Sequence, residues 1–338
     1  MKLSIGIVGL PNVGKSTLFK ILTKKQVNIA NYPFATIDPN IGVVAVPDQR
    51  LNVLTELSHS KKTVPAVVEF YDIAGLVKGA NKGEGLGNQF LSHIRETAAV
   101  VQVVRCFQNS DIIHVENSVD PIRDVDIIAM ELILKDLDTL KRRLSKAEGE
   151  ARTGSKDAVR LLDNLAAMKN ILESGRFLIQ DADLCGSESG LMLIREMGFL
   201  TAKPQLFLLN GLDEDVSEDL KNKIKEMKAD YLIADLSNEE SVQELIRKSY
   251  EILNLISFFT TGEDETRAWT IEKGDKAPQA AGAIHTDFEN KFIRADVIGY
   301  EKLVEAQDWN KAKQKGWLRL EGKDYVVQDG DVLVIRHG

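Results

Sequence analysis

The chain has 338 residues, of which 43 are lysine or arginine and 51 are aspartate or glutamate, and its formal net charge is −8. This length suits two or three domains, and the acidic balance argues against a generally basic nucleic-acid-binding protein, so DNA is not an expected partner. No apolar run approaches the roughly 18 residues of a membrane span, and this excludes an integral membrane protein.

The remaining composition indicates a reducing compartment. The two cysteines, Cys106 and Cys185, lie far apart and lack the spacing of metal ligands or of a disulfide framework. The chain enters an apolar strand at once, without the pattern of a signal peptide. We therefore expect a cytoplasmic protein that makes no contact with membranes.

A phosphate-binding loop stands near the start of the chain. The apolar run Leu3–Val8 predicts a buried strand, and the stretch GLPNVGKST at 9–17 separates it from a helix-like pattern. Backbone N–H groups of such a P-loop turn toward phosphate oxygens, and the helix N-terminus adds its positive end. A chance glycine turn is the alternative, and the length of the match argues against it. The residues predicted to bind nucleotide here are Asn12, Val13, Gly14, Lys15, Ser16 and Thr17.

Further apolar runs alternate with helical or glycine-rich stretches, as in a doubly wound α/β sheet. Some of them, such as Val100–Val104, are apolar on both faces, which a parallel sheet covered by helices requires. The predicted strands after the P-loop are Gly42–Val46, Ala66–Tyr71, Ala99–Arg105, Pro204–Leu209 and Asp230–Ala234.

Two elements after the P-loop indicate a nucleotide switch of the GTPase-like type. Asp72 and Gly75, in DIAG at 72–75, follow a strand, where the carboxylate can hold Mg²⁺ and the glycine amide can reach the γ-phosphate. Thr36 precedes a strand and offers a second hydroxyl ligand. The predicted metal ligands are thus Ser16, Thr36 and Asp72, and Lys15 would bridge the β- and γ-phosphates as a catalytic residue.

The middle of the chain predicts two long helices. Leucine and isoleucine recur at spacings of three and four between Ile133 and Leu144, and again from Leu161 to Leu172, with a polar turn between the two stretches. This pattern predicts an antiparallel coiled-coil hairpin inserted into the sheet domain, with two ordinary helices packed on that domain as the alternative.

The last eighty residues have a different pattern of predicted secondary structure. Short strand-like runs, Ala268–Ile271, Ile293–Val297, Tyr325–Val327 and Val332–Ile335, surround little helix. They predict a small separate α+β domain. The expected division is a nucleotide-binding domain at 1–126 and 200–258, a helical insert at 127–199, and a C-terminal domain at 259–338.

Several stretches together resemble one known family. GLPNVGKST, NYPFAT at 31–36 and DIAGLV at 72–77 resemble the Obg-related translation-factor GTPases. The helical hairpin and three C-terminal stretches, RAWTI at 267–271, AAGAIHTDF at 280–288 and EGKDY at 321–325, narrow the resemblance to the YchF group, the Obg-like ATPases. The resemblance covers essentially the whole chain. It implies a C-terminal TGS domain with a ubiquitin-like β-grasp fold and a triphosphatase that prefers ATP to GTP and associates with the ribosome. Basic residues of the last domain, such as Lys291 and Arg294, could meet the phosphates of ribosomal RNA.

The resemblance also assigns roles to Asn12 and His114, and the chemistry of Leu76 bears on the rate. Asn12 matches the P-loop asparagine of potassium-stimulated relatives, which adds K⁺ to Mg²⁺ as a cofactor, with an asparagine that holds no ion as the alternative. His114 becomes a catalytic candidate for positioning the attacking water, since a neutral imidazole can do so near pH 7. A structural histidine in a partly buried loop is the alternative. Leu76 stands where Ras-like switches carry a glutamine, so intrinsic turnover should be slow.

The base-reading segment leaves two possibilities open. GTPases carry Asn-Lys-x-Asp after a sheet strand, and this chain has Asn210-Gly211-Leu212-Asp213, in which the lysine of the guanine clamp is missing. Asn210 and Gly211 are predicted to bind nucleotide. The Obg-like ATPases have glutamate at the fourth place, whereas Asp213 is the residue that guanine would pair with. Glu214 could restore the family pattern by a shift of one residue.

Three functions therefore compete. The first is a slow Mg²⁺-dependent ATPase whose switch state controls ribosome binding. The second is an Obg-type GTPase that reads guanine through Asp213. The third is a nucleotide-regulated ribosome-binding module with negligible turnover, which Leu76 favours. A small-molecule kinase is a poor fit, because no arginine-rich lid follows the P-loop.

Overall fold

A computed structural model describes most of the chain as two compact units. One unit contains Met1–Lys24, Asp38–Gly42 and Phe70–Leu245, and the other contains Lys25–Ile37, Val43–Glu69 and Ile246–Gly338. The described residues are 3–24, 26–27, 40–73, 94–109, 111–112, 114–152, 154–236 and 239–338. Two predicted site residues, Thr36 and Gly75, lie outside them.

The first sheet has six strands in the order β2-β4-β1-β5-β6-β7. Strand β5 pairs in parallel with β1 and β6, and β6 pairs in parallel with β7. Every residue of β1, β5 and β6 is buried, as expected of strands covered on both faces. The predicted doubly wound α/β sheet is confirmed. The strands are β1 Ser4–Val8, β2 Ile41–Ala45, β4 Val67–Asp72, β5 Ala99–Arg105, β6 Gln205–Asn210 and β7 Asp230–Ala234.

The predicted pair of long helices is also present. Helix α3, Pro121–Ala151, begins with a proline in its first turn and with the N-cap Asp120, whose side chain accepts from the Arg123 amide. Helix α4, Lys156–Glu173, follows after a short loop and packs along α3. The facing residues Leu140, Leu165 and Met168 are fully buried. The two helices therefore form a hairpin.

The first part of α3 packs on the sheet rather than on α4. Val125 belongs to a buried cluster with Phe207 and Leu209 of β6. Farther along α3, the fully buried Asp136 accepts hydrogen bonds from the amides of Leu200 and Thr201, at 3.0 and 2.8 Å, and from the Thr201 hydroxyl at 2.7 Å. The two alternatives, a helical hairpin and helices packed on the sheet domain, thus apply to different parts of α3. Its first half covers the sheet, and its second half pairs with α4.

Shorter helices complete this unit. They are α1 Lys15–Lys24, α5 Ala182–Gly186, α6 Glu188–Met197, α7 Glu218–Glu226 and α8 Glu239–Ile252, whose last residues fall in the second unit. Short 3-10 turns lie at Leu178–Gln180 and Asp213–Asp215. No helix in the described ranges is long and apolar enough to cross a membrane.

The second unit is built around another six-stranded sheet, of order β11-β10-β12-β8-β9-β3. Its core contains Phe258, Ile271, Val297 and Leu333. The strands are β3 Lys62–Val64, β8 Leu255–Thr261, β9 Glu265–Glu272, β10 Phe292–Gly299, β11 Arg319–Glu321 and β12 Asp331–His337. The helices are α2 Gln49–Leu57, α9 Ala277–Ile284, α10 Thr286–Asn290, α11 Tyr300–Ala306 and α12 Trp309–Gln314.

Two features of this sheet differ from the prediction. The run Tyr325–Val327 was predicted as a strand, and this is wrong, because it forms only an isolated bridge between Val326 and Lys276. Strand β3 comes from the early part of the chain and pairs in parallel with β9, with Thr63 opposite Thr266. Its three residues are too short a run to be recognised from periodicity.

The predicted boundary at residue 259 falls inside β8, Leu255–Thr261. Two stretches outside the predicted C-terminal domain, 43–69 and 246–258, belong to the same compact unit as that domain. Strand β8 joins the later stretch by pairing with both β9 and β12, and strand β3 joins the earlier one by pairing with β9. The three-part division stays a prediction.

Candidate nucleotide-binding site

The phosphate-binding loop has the backbone conformation that its glycines allow. Gly9 and Gly14 have φ values of +150° and +112°, which L-amino acids with side chains rarely adopt. A Cβ on Gly14 would lie 2.6 Å from Nδ2 of Asn210, and a Cβ on Gly9 would lie 2.5 Å from the Val103 carbonyl oxygen. Both glycines are therefore required by the close approach of neighbouring strands as well as by φ.

Lys15 is the buried charge of this loop. It begins helix α1, and its Nζ donates to the carbonyl oxygens of Gly9 and Leu10, at 2.9 and 2.5 Å. Burial lowers the pKa of Lys15 to about 8, although the charge of Asp72 acts in the opposite direction. The ammonium group is thus held at the loop that is expected to bind phosphate, where it has little water around it.

Asn210 fixes the loop from the neighbouring part of the sheet. It ends strand β6, it is buried, and its Nδ2 donates to the carbonyl oxygen of Val13 at 2.9 Å. Gly211 follows, and a Cβ there would lie 3.2 Å from both the Cβ of Cys106 and the Phe107 amide nitrogen. These two predicted site residues therefore lie beside the P-loop, as in a site that spans the carboxyl ends of several strands.

A cleft of about 770 Å³ opens between these elements. It is within the range of nucleotide-sized pockets. The P-loop forms one end, and loops that follow β5, β6 and β7 form the other. The lining residues are Asn12, Gly14, Lys15, Ser16, Thr17, Phe107, Gln108, Ile112, Asn210, Gly211, Leu212, Asp215, Asp235 and Leu236.

The available oxygen donors fit a divalent cation bound together with phosphates. Ser16 lies in the first turn of α1 with an exposed side chain, and Asp72, 8% exposed, ends β4 close enough to influence Lys15. Hydroxyl and carboxylate oxygens suit a hard cation such as Mg²⁺, which uses few protein ligands when it binds substrate phosphates. In agreement, the described residues contain no cluster of three or more histidine, cysteine or acidic side chains that could hold a metal alone.

His114 is placed in a buried hydrogen-bond network. Its Nε2 lies 2.8 Å from Oδ2 of Asp124, and its Nδ1 accepts from the Glu116 amide at 3.1 Å. The same carboxylate receives the guanidinium of Arg123. His114 is 5% exposed and is not among the residues that line the cleft. Its predicted role as the water-positioning residue stays a prediction, since both ring nitrogens are engaged in this conformation.

The loop after β5 contributes residues to the cleft that were not predicted from the sequence. The fully buried Arg105 holds it by donating to the carbonyl oxygens of Phe107, Asn109 and Ile112, at 3.2, 2.9 and 2.9 Å. This brings Phe107 and Ile112 to the cleft. The signal that could have found them is their position after a central parallel strand, where ligands of such sheets bind.

Comparison with known proteins is consistent with this geometry. A family model described as "50S ribosome-binding GTPase" matches residues 4–136, and one described as the YchF-GTPase C-terminal domain, a protein of unknown function, matches residues 255–338. "Ribosome-binding ATPase YchF" of Bacillus subtilis strain 168 is 45% identical over 99% of both chains. The protein of that name from Escherichia coli O157:H7 is 46% identical over 98% of both.

A solved structure has the same fold. The chain superimposes on the structure of the Schizosaccharomyces pombe YchF GTPase with a TM-score of 0.87 and 38% identity, over 99% of this chain and 98% of that one. These relatives are named for different nucleotides, because the bacterial proteins are called ATPases and the yeast protein is called a GTPase.

Proposed function

The chain belongs to the YchF family of P-loop proteins, and we propose that it is a ribosome-associated switch that binds ATP with a divalent cation and hydrolyses it slowly. The observation that carries this proposal is the cleft in which Lys15, the N-terminus of α1 and the Asn210-braced loop converge. The bacterial relatives named ribosome-binding ATPases support the nucleotide and the partner.

The residues have distinct tasks in this proposal. The P-loop amides from Asn12 to Thr17 and the charge of Lys15 hold the phosphates, because an N-terminal helix end and an ammonium group both attract anions. Mg²⁺, when bound, neutralises phosphate charge, and Ser16, Thr36 and Asp72 are its proposed ligands. The Gly75 amide meets the γ-phosphate, and Asn12 offers an oxygen to K⁺.

Two further assignments complete the proposal. His114 orients the attacking water once its contact with the Glu116 amide is released, while Asp124 keeps the ring in place. The slow rate rests on Leu76, whose aliphatic side chain cannot polarise water. The protein acts in the cytoplasm, where ribosomes are found. Its working parts are the nucleotide-binding domain at 1–126 and 200–258, the insert at 127–199 and the TGS domain at 259–338.

Substitution of the P-loop lysine tests the enzymatic half. Lys15→Ala should lower ATP hydrolysis by about a hundredfold or more, because the charge that spans the β- and γ-phosphates is lost. Lys20→Ala is the matched control, since Lys20 lies exposed on the same helix. Phosphate release under saturating Mg²⁺ is the measurement. Equal rates for the three proteins would remove the P-loop from the mechanism.

Co-sedimentation tests the proposed association with ribosomes. The protein is centrifuged with ribosomes, with and without a non-hydrolysable ATP analogue, at two salt concentrations. A bound fraction that depends on the analogue and falls with salt is expected, because contacts to RNA phosphates are salt-sensitive. Hydrolysis without any sedimentation at either salt concentration would leave an ATPase and rule out ribosome association.

A further inference from the structure

The base-facing end of the cleft contains a carboxylate that the sequence pattern did not single out. Phosphates are expected at the P-loop end, so the base and ribose occupy the other end, which Phe107, Leu212 and Asp215 line. The segment Asp213–Asp215 forms a 3-10 turn there. It carries three consecutive acidic residues, of which only Asp215 lines the cleft.

Asp213, the residue that matches the guanine reader of GTPases, is directed elsewhere. Its side chain is 83% exposed, and its Oδ1 lies 3.4 Å from Nζ of Lys221 on helix α7, Glu218–Glu226. Lys221 also binds Glu218 at 2.9 Å. A carboxylate that faces solvent and a neighbouring helix is poorly placed to read a base in the cleft.

Asp215 is held at the floor of the cleft by the turn itself. Its Oδ2 accepts the amide of Leu212 at 2.8 Å, and a Cβ on Gly211 would lie 3.0 Å from the same oxygen. Its charge also reaches the buried Cys106 beneath, since burial first and then Asp215 raise the pKa of that thiol to about 12. The second oxygen of Asp215, Oδ1, receives no hydrogen bond from the described residues.

We propose that Asp215 is the residue that selects adenine, through its Oδ1, in place of the aspartate of the Asn-Lys-x-Asp pattern. This inference rests on the proposed function, and it names the group that decides the substrate. An ionised carboxylate only accepts hydrogen bonds. Adenine presents a donor, the 6-amino group, where guanine presents the acceptor O6.

The number of free carboxylate oxygens on Asp215 also favours adenine over guanine. Guanine offers two adjacent donors, N1–H and the 2-amino group, which a carboxylate pairs with both of its oxygens. Asp215 has already committed Oδ2 to the Leu212 amide, so a single acceptor remains. One acceptor satisfies the amino group of adenine. With guanine, the same oxygen either faces O6 and repels it or pairs with one of the two donors and leaves the other unpaired, and both outcomes are unfavourable in a partly desolvated site.

The test compares ATP and GTP affinities, measured by calorimetry with Mg²⁺, for the unaltered protein, Asp215→Asn and Asp213→Asn. Asparagine at 215 keeps an oxygen for the Leu212 amide and presents an NH₂ group to the base, which should donate to guanine O6 and oppose the amino group of adenine. We expect the ATP:GTP preference to fall at least about tenfold in Asp215→Asn. Asp213→Asn removes the same charge from the same turn and should leave the preference unchanged.

A second measurement uses the unaltered protein, so it does not depend on how the variant folds. Purine riboside triphosphate lacks only the 6-amino group of ATP, and it should bind about tenfold more weakly. Equal affinity for the two nucleotides, or an unchanged preference in a folded Asp215→Asn, overturns the inference while ATP hydrolysis still stands. Loss of GTP binding in Asp215→Asn also overturns it and makes Asp215 a guanine reader. Absence of all nucleotide binding to the unaltered protein overturns the proposed function as well.

Discussion

Lys15 carries the charge on which the proposed phosphate binding depends, and burial disfavours the charged form. Burial removes water from the ammonium group, and the carbonyl oxygens of Gly9 and Leu10 replace it only in part. The pKa of Lys15 therefore falls from the usual 10.5 to about 8. Since the folded-state pKa is the lower one, the charged form opposes folding below about pH 8, and this cost disappears as pH rises toward 10.5.

The depressed pKa predicts a pH-dependent nucleotide affinity. Below about pH 8 Lys15 is charged and affinity for ATP should be flat, whereas above it each pH unit should weaken binding by up to about tenfold, because the amine must first be protonated. Calorimetry from pH 7 to 9.5 in two buffers of different ionisation enthalpy should also detect proton uptake near pH 8.

Lys15→Arg supplies the control for this effect. A guanidinium stays charged throughout the pH range, so whatever its absolute affinity, the variant should show no proton uptake. A flat affinity profile for the unaltered protein would mean that Lys15 is fully charged in the free state and that its burial has no consequence for binding.

A buried carboxylate adds to the apolar packing that attaches helix α3, Pro121–Ala151, to the first sheet. Asp136 receives the backbone amides of Leu200 and Thr201, which lie just before β6, Gln205–Asn210. Strand β6 in turn ends at Asn210, which braces the P-loop. Burial raises the pKa of Asp136, and the hydrogen bonds from these amides oppose that change. A single side chain thus connects the helical hairpin with the strand that leads to the nucleotide site.

Asp136→Ala should destabilise this attachment by about 2–4 kcal/mol, since it leaves two buried amides without acceptors. Urea denaturation should show a lower midpoint for the first unit, and hydrogen exchange should accelerate at the amides of Leu200 and Thr201. Asp138→Ala, two residues along on the exposed side of α3, is the control and should change neither. Unchanged exchange at the two amides in Asp136→Ala would contradict the anchoring role.

The second unit takes its sheet from distant parts of the chain. Strand β3, Lys62–Val64, forms the edge beside β9, and helix α2, Gln49–Leu57, packs on the same strands. Side chains reinforce this arrangement. The Arg50 guanidinium binds Asp329 at 2.7 Å, and the Ser60 hydroxyl donates to the Gly262 carbonyl at 2.6 Å. Helix α2 and strand β3 are therefore held by strands from the C-terminal part of the chain.

Removal of residues 259–338 should therefore affect an early part of the chain. Helix α2 and strand β3 lose their partners, so their amides should exchange at least about tenfold faster in the chain 1–258 than in the full protein. Hydrogen exchange followed by mass spectrometry measures this. Amides of β5, Ala99–Arg105, serve as the internal control and should stay protected. Protected α2 and β3 amides after truncation would show that residues 43–69 fold without the C-terminal strands.

The phosphate end of the site was predictable from the sequence because its parts are contiguous. The proposed roles of Gly9, Gly14, Lys15 and Ser16 rest mainly on backbone geometry and a helix start, which follow from neighbours along the chain. Tertiary structure adds the close approach of Val103 and Asn210 to the two glycines. Strands β5 and β7 were predicted with the bounds that the structure has, Ala99–Arg105 and Asp230–Ala234, since buried parallel strands read as apolar runs.

The base end and the second sheet were decided by tertiary structure. Phe107 and Ile112 reach the same cleft as Leu212 and Asp215 because β5 and β6 are neighbours in the sheet. The direction of the Asp213 and Asp215 side chains depends on one turn and on Lys221. Likewise, β3 pairs with β9 although the paired residues lie about two hundred positions apart in the chain. Local propensity carries no information about such pairings between distant residues. A contiguous phosphate loop, in contrast, contains in its own sequence most of the information that specifies its conformation.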